Sequence, residues 1–541
     1  KRKMTDREAF LTASIIWGTL VVVSTEALSP AALLNRASLS FFWGAAAAGL
    51  LFYAGRTGGN IRFSFQIESP ARLTVFSVGA VLFCLAVTAF WAAPNTADSM
   101  TYHLSRVMHW TQNQSVDYYP THILRQLFMK PWAEYAILHF QILSGGDSWA
   151  NFVQWFSLAG CAVGVSLAAS LLGADGRAQA FAALFVVTLP MAILQASSTQ
   201  NDLVVSFWII AFVVETLLFR KNGRAGHAFL AAACLGLAAL TKPTAYLCLF
   251  FFGFWLVFFA WEKKGWKSLR ILGAGALIFV LINAADYRRG WELFGSPMAS
   301  RLDNYTNTVL TPQSFTSNVV RNLAIHWGTP WRALNQSLEG GVGRLHEWLG
   351  IGASDPRTTM VPTKFHVEEL SLNEDLAGNP LHFAMIAVFF VLFFIQKKQR
   401  LFSWYVTTVT AGFFLFCAVL TWQPFHSRLH LPVFVLLAPA LAMIFAGSSR
   451  RWMTGILGCL LFAASFYWIG WNQFRPLVGE QSIFRSSRTE QYFRNRPWLE
   501  KPYTALAGHI REAGYGSVGL VFNEVDMEYP LWILLKERGV S

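Results

Sequence analysis

Apolar residues in this chain come in blocks of about twenty rather than in stripes. Segments such as 72–92, 149–172, 201–219, 268–287 and 453–471 are apolar on every helical face, whereas a surface helix of a soluble domain sets an apolar stripe against a polar one. A block of that length crosses the hydrocarbon core of a bilayer. The pattern predicts thirteen such helices, at about 10–28, 36–54, 72–92, 149–172, 178–196, 201–219, 226–240, 244–261, 268–287, 381–396, 402–420, 430–447 and 453–471. Three polar pieces interrupt or follow them: about 93–148, about 288–380, and a tail from about 472. The tail holds a helix-like stretch from Tyr503 to Ala513. A Gly turn and a strand-like run from Ser517 to Phe522 follow it, so the tail reads as a small α/β appendage. The expected fold is an all-α polytopic membrane protein. Residues 1–471 form the membrane domain and 472–541 a domain beyond the membrane.

Composition agrees. Charged residues are 13% of the chain and hydrophobic ones 54%, against roughly 25% charged in soluble domains. The net charge of +13 would suit nucleic acid, but the basic residues sit at the ends of apolar blocks as topology signals do. No basic stripe interleaved with stacking aromatics accompanies them, and nucleic-acid binding is not expected. The six cysteines all fall inside predicted spans without zinc-ligand spacing.

Lys1, Arg2, Lys3 and Arg7 place the N-terminus in the cytoplasm, and the first block lacks a small-residue cleavage site and reads as a span. Alternation then puts Arg56, Arg62, Arg72, Arg177, Arg220, Lys221, Arg224, Lys263, Lys264, Lys267, Arg270, Lys397, Lys398, Arg400, Arg450 and Arg451 inside. The short outer loops keep only Arg36, Lys242 and Arg428. The C-terminal tail falls outside.

The same alternation gathers Asp98, Glu134, Asp202, Lys242, His426, Arg428 and His430 at the outer level. Ionisable groups beside apolar surroundings are costly and face a cavity or a partner. Asp98 lies in Asn95-Thr96-Ala97-Asp98-Ser99-Met100-Thr101-Tyr102-His103-Leu104-Ser105-Arg106, directly after a span. It suits either a helix cap or a catalytic carboxylate, and the two roles can coexist. Asp202, at the end of Ser197-Ser198-Thr199-Gln200-Asn201-Asp202, carries the same two readings. Lys242 precedes Pro243 after a short span, placed to hold a phosphate or to reach the interface. Arg428 offers the planar fork that matches phosphate oxygens. His426 and His430 share i, i+4 spacing, but Pro424 and Pro432 bracket them and no third ligand is fixed nearby. No metal site is assigned, and dependence on a divalent metal stays open. Trp91, Trp110, Tyr118, Tyr119, Trp132 and Trp149 crowd the first outer piece as interface-belt residues, with one or two suited to stacking on a sugar.

These pieces, in this order and at the outer face, resemble the GT-C superfamily of membrane glycosyltransferases, in particular bacterial relatives of protein O-mannosyltransferases and of lipid A aminoarabinose or galacturonic acid transferases. The likeness covers about 72–450. It rests on the acidic residue of the first large outer loop (Asp98), a partial Lys-Pro-Pro match at Lys130-Pro131-Trp132, the A-x-L-T-K segment at Ala238 to Lys242, and an R-x-x-x-P entry at Arg428 to Pro432. Two features depart from it. Asp98 follows the third span rather than the first, and the usual Asp-Glu pair is here Asp98-Ser99.

The resemblance implies a polyprenyl-phosphate-linked sugar donor at the outer face of a bacterial inner membrane. It implies an envelope glycan, lipid or protein acceptor, and inversion at the anomeric carbon. Asp98 would be the general base; Lys242, Arg428 and Arg106 would bind the donor phosphate. Glu134, Asp202, His103, Tyr102, His426 and His430 would orient substrates. No tightly bound cofactor is implied. Competing readings are a glycan ligase or polymerase with a lipid pyrophosphate donor, a lipid or solute transporter, and an envelope-assembly scaffold.

Overall fold

The computed structural model describes residues 4–56, 71–298, 305–396, 399–446 and 451–536. The topology signals Lys1, Arg2, Lys3, Arg62, Lys397, Lys398 and Arg450, and the side chain of Arg451, lie outside that description.

Each apolar block is helical. Among the described residues eight stretches are long and apolar enough to cross a membrane, and one of them, Thr244–Phe294, is two helices joined by a single tight turn. Gly176–Val187, Ala225–Thr241, Pro380–Ile395 and Leu431–Phe445 are shorter apolar helices. The block at 178–196, expected as one span, is broken at Leu189 into Gly176–Val187 and Pro190–Gln195. Pro190 has no N–H to continue the helix and disfavours helical backbone in the residue before it.

Helix Asp202–Asn222 is the hub, buried from Asp202 through Phe219. It packs against Phe152–Leu172, Ala225–Thr241 and Leu431–Phe445. Small residues allow the closest approach, as is usual between membrane helices: a Cβ at Gly160 would lie 2.5 Å from the Phe207 ring, and one at Gly164 2.9 Å from Ile210. Helix Arg36–Arg56 is peripheral and turns Phe41, Leu50, Leu51, Phe52 and Tyr53 outward. Exposed apolar rows of that extent are costly in water and at home in lipid.

The first outer piece folds as Ser99–His103, Leu104–Asn113, Arg125–Phe128 and Trp132–Ser144, the last largely buried against helix Asp6–Leu28. The tail does not form an α/β unit. It contains helices Arg488–Phe493, Glu500–Glu512 and Tyr529–Lys536, and no strand is present among the described residues beyond isolated bridges elsewhere. The alternation that suggested a strand is real: Val518, Leu520 and Phe522 pack on the cluster of Ala507, Ile510, Leu531 and Leu535, while Val521 is 89% exposed. Among the described residues no second segment pairs with this run, and a ladder needs a partner to accept its hydrogen bonds.

The tail is bound to the first outer piece rather than hanging from it. Asp147 receives Arg488 Nη2 at 2.5 Å, the Tyr492 hydroxyl at 2.7 Å and the Tyr529 hydroxyl at 2.8 Å.

Candidate functional site

Asp98 follows helix Arg72–Trp91 on a short, buried connection. Asn95 donates to the Phe474 and Gln491 carbonyls. Thr96, not Asp98, caps the next turn, accepting from the Ser99 amide at 2.9 Å. Asp98 makes no capping bond, and its carboxylate faces cations instead. Arg428 Nη1 donates to Asp98 Oδ2 at 3.0 Å, and Arg125 Nη1 lies 3.4 Å from Asp98 Oδ1.

Arg428 stands on the one-turn helix His426–Leu429 before helix Leu431–Phe445. Its Nη1 also meets Asp375 Oδ1 at 2.8 Å and the Gln200 side-chain carbonyl. Gln200 Nε2 in turn donates to Asp375 at 3.1 Å. Lys242, between helices Ala225–Thr241 and Thr244–Lys264, places Nζ 2.5 Å from Asp202 Oδ1. Asp202 and Asp98 both act electrostatically on Lys242, and Arg428 opposes its charge. Five distant segments thus contribute Asp98, Asp202, Lys242, Asp375 and Arg428 to one cluster.

Asp98 is 16%, Arg428 17%, Lys242 18% and Asp375 22% exposed. The polar groups behind them are essentially closed off, so these four side chains form the partly exposed edge of the network. Asp202 Oδ2 and Arg428 Nε, both closed off from solvent, lack hydrogen-bond partners. Burial alone would raise the Asp98 carboxyl, but Arg428, His103 and Arg125 outweigh it and hold the group at about 2. Asp375 moves the other way: burial, with Asp98 and Asp202 nearby, raises it despite Arg428. Burial also lowers Lys242, with Asp202 opposing the shift and Arg428 adding to it.

A second layer holds this face in place. Arg475 and Glu374, both fully buried, form an ion pair. Arg475 also donates to Asn95 Oδ1 at 2.7 Å, Ser197 Oγ at 3.1 Å and the Leu194 carbonyl at 3.0 Å. One guanidinium therefore ties together the segments that carry Asp98, Gln200 and Asp375. On the other side His103 Nδ1 lies 2.6 Å from Glu134 Oε1. Both are buried, with Glu134 held low because Arg106 and His103 overcome the effect of burial. Tyr102 packs beneath Arg125, whose guanidinium sits 5.1 Å from its ring centre.

Other expected site residues point elsewhere. Arg106 is 1% exposed and donates to the Arg125 and Met129 carbonyls. It braces the loop and is not brought to the cluster as a phosphate ligand. His426 Nδ1 is 2.7 Å from Asn322 Oδ1, and His430 Nδ1 is 3.0 Å from His326 Nε2. Both rings are buried behind Arg428, so they do not line the reachable face. Among the described residues no group of three His, Cys, Asp or Glu side chains is placed to hold a metal ion. Lys130 pairs with Asp286 at 2.7 Å, apart from the cluster.

Asp375, Arg125, Gln200 and Arg475 are the cluster and brace residues that sequence reasoning did not assign. Asp375 carried one usable signal, since it precedes a span at the same outer level as Asp98.

No protein-family model matches the chain, and no curated protein matches it. Solved structures of ArnT from Cupriavidus metallidurans are similar. One, bound to undecaprenyl phosphate, is 14% identical with a TM-score of 0.44, the match covering 85% of this chain and 74% of that one. The other, in the apo state, is 15% identical with a TM-score of 0.45, covering 86% and 75%.

Proposed function

We propose that the chain is an inverting glycosyltransferase that moves a sugar from a polyprenyl-phosphate donor to an acceptor hydroxyl, at the outer face of a bacterial inner membrane. The observation that carries the reading is the convergence of Asp98, Lys242 and Arg428 on one reachable cluster. A base beside two phosphate-seeking cations is what displacement of a phosphate by a hydroxyl needs.

In the free protein Arg428 is shared by Asp98 and Asp375. A donor phosphate competes for that guanidinium and for Lys242, where preorganised cations meet the charge that develops on the leaving group. Once Arg428 is neutralised, the strongest attraction lowering Asp98 is lost and its carboxylate becomes a better base. The acceptor oxygen then forms its bond to the anomeric carbon as the carbon–oxygen bond to phosphate breaks. The hydroxyl proton passes to Asp98, and the lipid phosphate leaves with the electron pair, held by Arg428 and Lys242. Asp202 orients Lys242 through their 2.5 Å contact.

The test is release of lipid phosphate from a synthetic undecaprenyl-phosphate sugar by purified protein. Release is expected from the natural chain and not from Asp98→Asn. Full turnover by that variant would remove Asp98 from the mechanism.

A further inference from the structure

A cavity of about 600 Å³ lies at the seam between the first outer piece and the C-terminal tail. Its size is that of sites for small organic ligands. His109, Gln112 and His122 come from the first piece; Phe522, Glu528 and Trp532 come from the tail. The walls are rigid where they are aromatic. The His109 ring stacks on Tyr119 with centres 4.0 Å apart and meets Trp532 edge-on at 5.0 Å. Glu528 pins them, with Oε1 2.7 Å from His109 Nε2 and accepting from Trp532 Nε1 at 2.8 Å.

The lining contains neither Lys nor Arg, so it offers nothing to a phosphate. Glu528 is already engaged on both oxygens, the second by Gln126 at 2.5 Å, so it offers little to a cation. Gln112 and His122 are exposed polar side chains, free to bond a ligand's hydroxyls. An isoprenoid chain is better served by the apolar cavity of about 330 Å³ walled by Trp17, Trp132, Phe156 and Phe207. Aromatic faces beside neutral hydrogen-bonding groups match a sugar ring, with its apolar C–H face and hydroxyl rim.

Two connections join this cavity to the cluster. Arg125 contacts Asp98 at 3.4 Å and donates to the Glu524 carbonyl at 2.7 Å. Gln126 donates both to Glu528 and, at 3.0 Å, to the Thr101 carbonyl three residues after Asp98. Arg125 and Gln126 thus link the seam to the segment of Asp98 from one side, while Arg428 approaches the other carboxylate oxygen.

We infer that this seam is a saccharide subsite that holds the acceptor, built jointly by the first outer piece and the tail. The word acceptor rests on the transfer reading above; the saccharide site itself stands on the cavity.

The experiment is saturation-transfer NMR on the full chain in nanodiscs, with methyl glycosides of a hexose, an N-acetylhexosamine and a hexuronate as probes. At least one should bind the natural chain. Trp532→Ala and, independently, Gln112→Trp, which fills the cavity from an exposed helix end, should weaken that binding tenfold or more. The idea is overturned if none of the three binds, or if binding survives both substitutions. Undecaprenyl phosphate is then added. Glycoside binding that persists supports an acceptor site, whereas competition by an undecaprenyl-phosphate sugar would make the seam a donor-sugar site and overturn the assignment. Failure of the natural chain to bind undecaprenyl phosphate at all would sink the transfer reading while leaving the glycoside result intact.

Discussion

Arg428 and Asp98 are 330 positions apart in the chain and 3.0 Å apart in space. Asp375 shares the same guanidinium nitrogen at 2.8 Å. A cation divided between two carboxylates is a placeholder arrangement: an anionic ligand can replace one of them without leaving Arg428 unpaired.

Asp98→Asn keeps the shape of the side chain and leaves Arg428 its contact with Asp375. Transfer should fall by about 10²–10⁴-fold, the span ordinarily supplied by a positioned base, and the melting temperature should fall because the ion pairs with Arg428 and Arg125 are lost. Lipid-phosphate release and a thermal unfolding scan in detergent check both halves.

At Arg428 the geometry of the cation matters as well as its charge. Arg428→Lys retains a positive charge but loses the planar fork that suits phosphate oxygens, of which Nη1 alone meets Asp98, Asp375 and Gln200. Undecaprenyl phosphate affinity, measured by isothermal titration, should drop roughly tenfold for Lys and further for Ala, about 1.4 kcal/mol for each factor of ten. Equal affinity across all three proteins would place the phosphate elsewhere.

The pH response has a definite sign. Asp98 is held at about 2 in the free protein, below its ordinary value. Its ion pairs therefore contribute stability above the unfolded value, near 4, and that contribution is lost as pH falls from there through about 2. Binding a phosphate to Arg428 removes the chief attraction and raises the group. The acid limb of kcat should consequently lie at higher pH than that of kcat/KM, since the former reports the bound enzyme. Coincident limbs would mean that the phosphate does not displace Asp98 from Arg428.

Glu374 and Arg475 are both fully buried, so removing one strands the other. Glu374→Ala should destabilise the protein by about 3–5 kcal/mol. The double change Glu374→Leu with Arg475→Met should recover part of that loss, because no buried charge is then left unpaired. Thermal unfolding of the single and double variants decides it. Activity should stay low in both, since the brace positions Asn95 and Ser197.

Much of this organisation was legible in the chain. The apolar blocks are helical because twenty uninterrupted apolar residues have few other ways to satisfy their backbone in lipid. Asp98, Asp202, Lys242 and Arg428 converge because each sits near the same end of a helix, where little loop remains to carry it away. Spacing alone could not say which way a helix end turns. His426 and His430 share a face as i, i+4 residues do, but that face meets Asn322 and His326. Arg106, eight positions after Asp98, turns to the Arg125 and Met129 carbonyls, because its fork fits carbonyl oxygens as readily as phosphate. Asp375, Arg125 and Arg475 were missed because their partners lie across long polar pieces with no periodicity to fix a register. The alternation at 517–522 marked a genuine half-buried run, but a strand also needs a neighbour, which no local pattern supplies.

Arg475 belongs to the tail, yet it fastens the segments around Asp98 and Asp375. During synthesis every helix ahead of Arg475 can form while the segments around Asp98 and Asp375 still lack the guanidinium that fastens them. The cluster is therefore completed only when the last stretch of the chain folds back onto it.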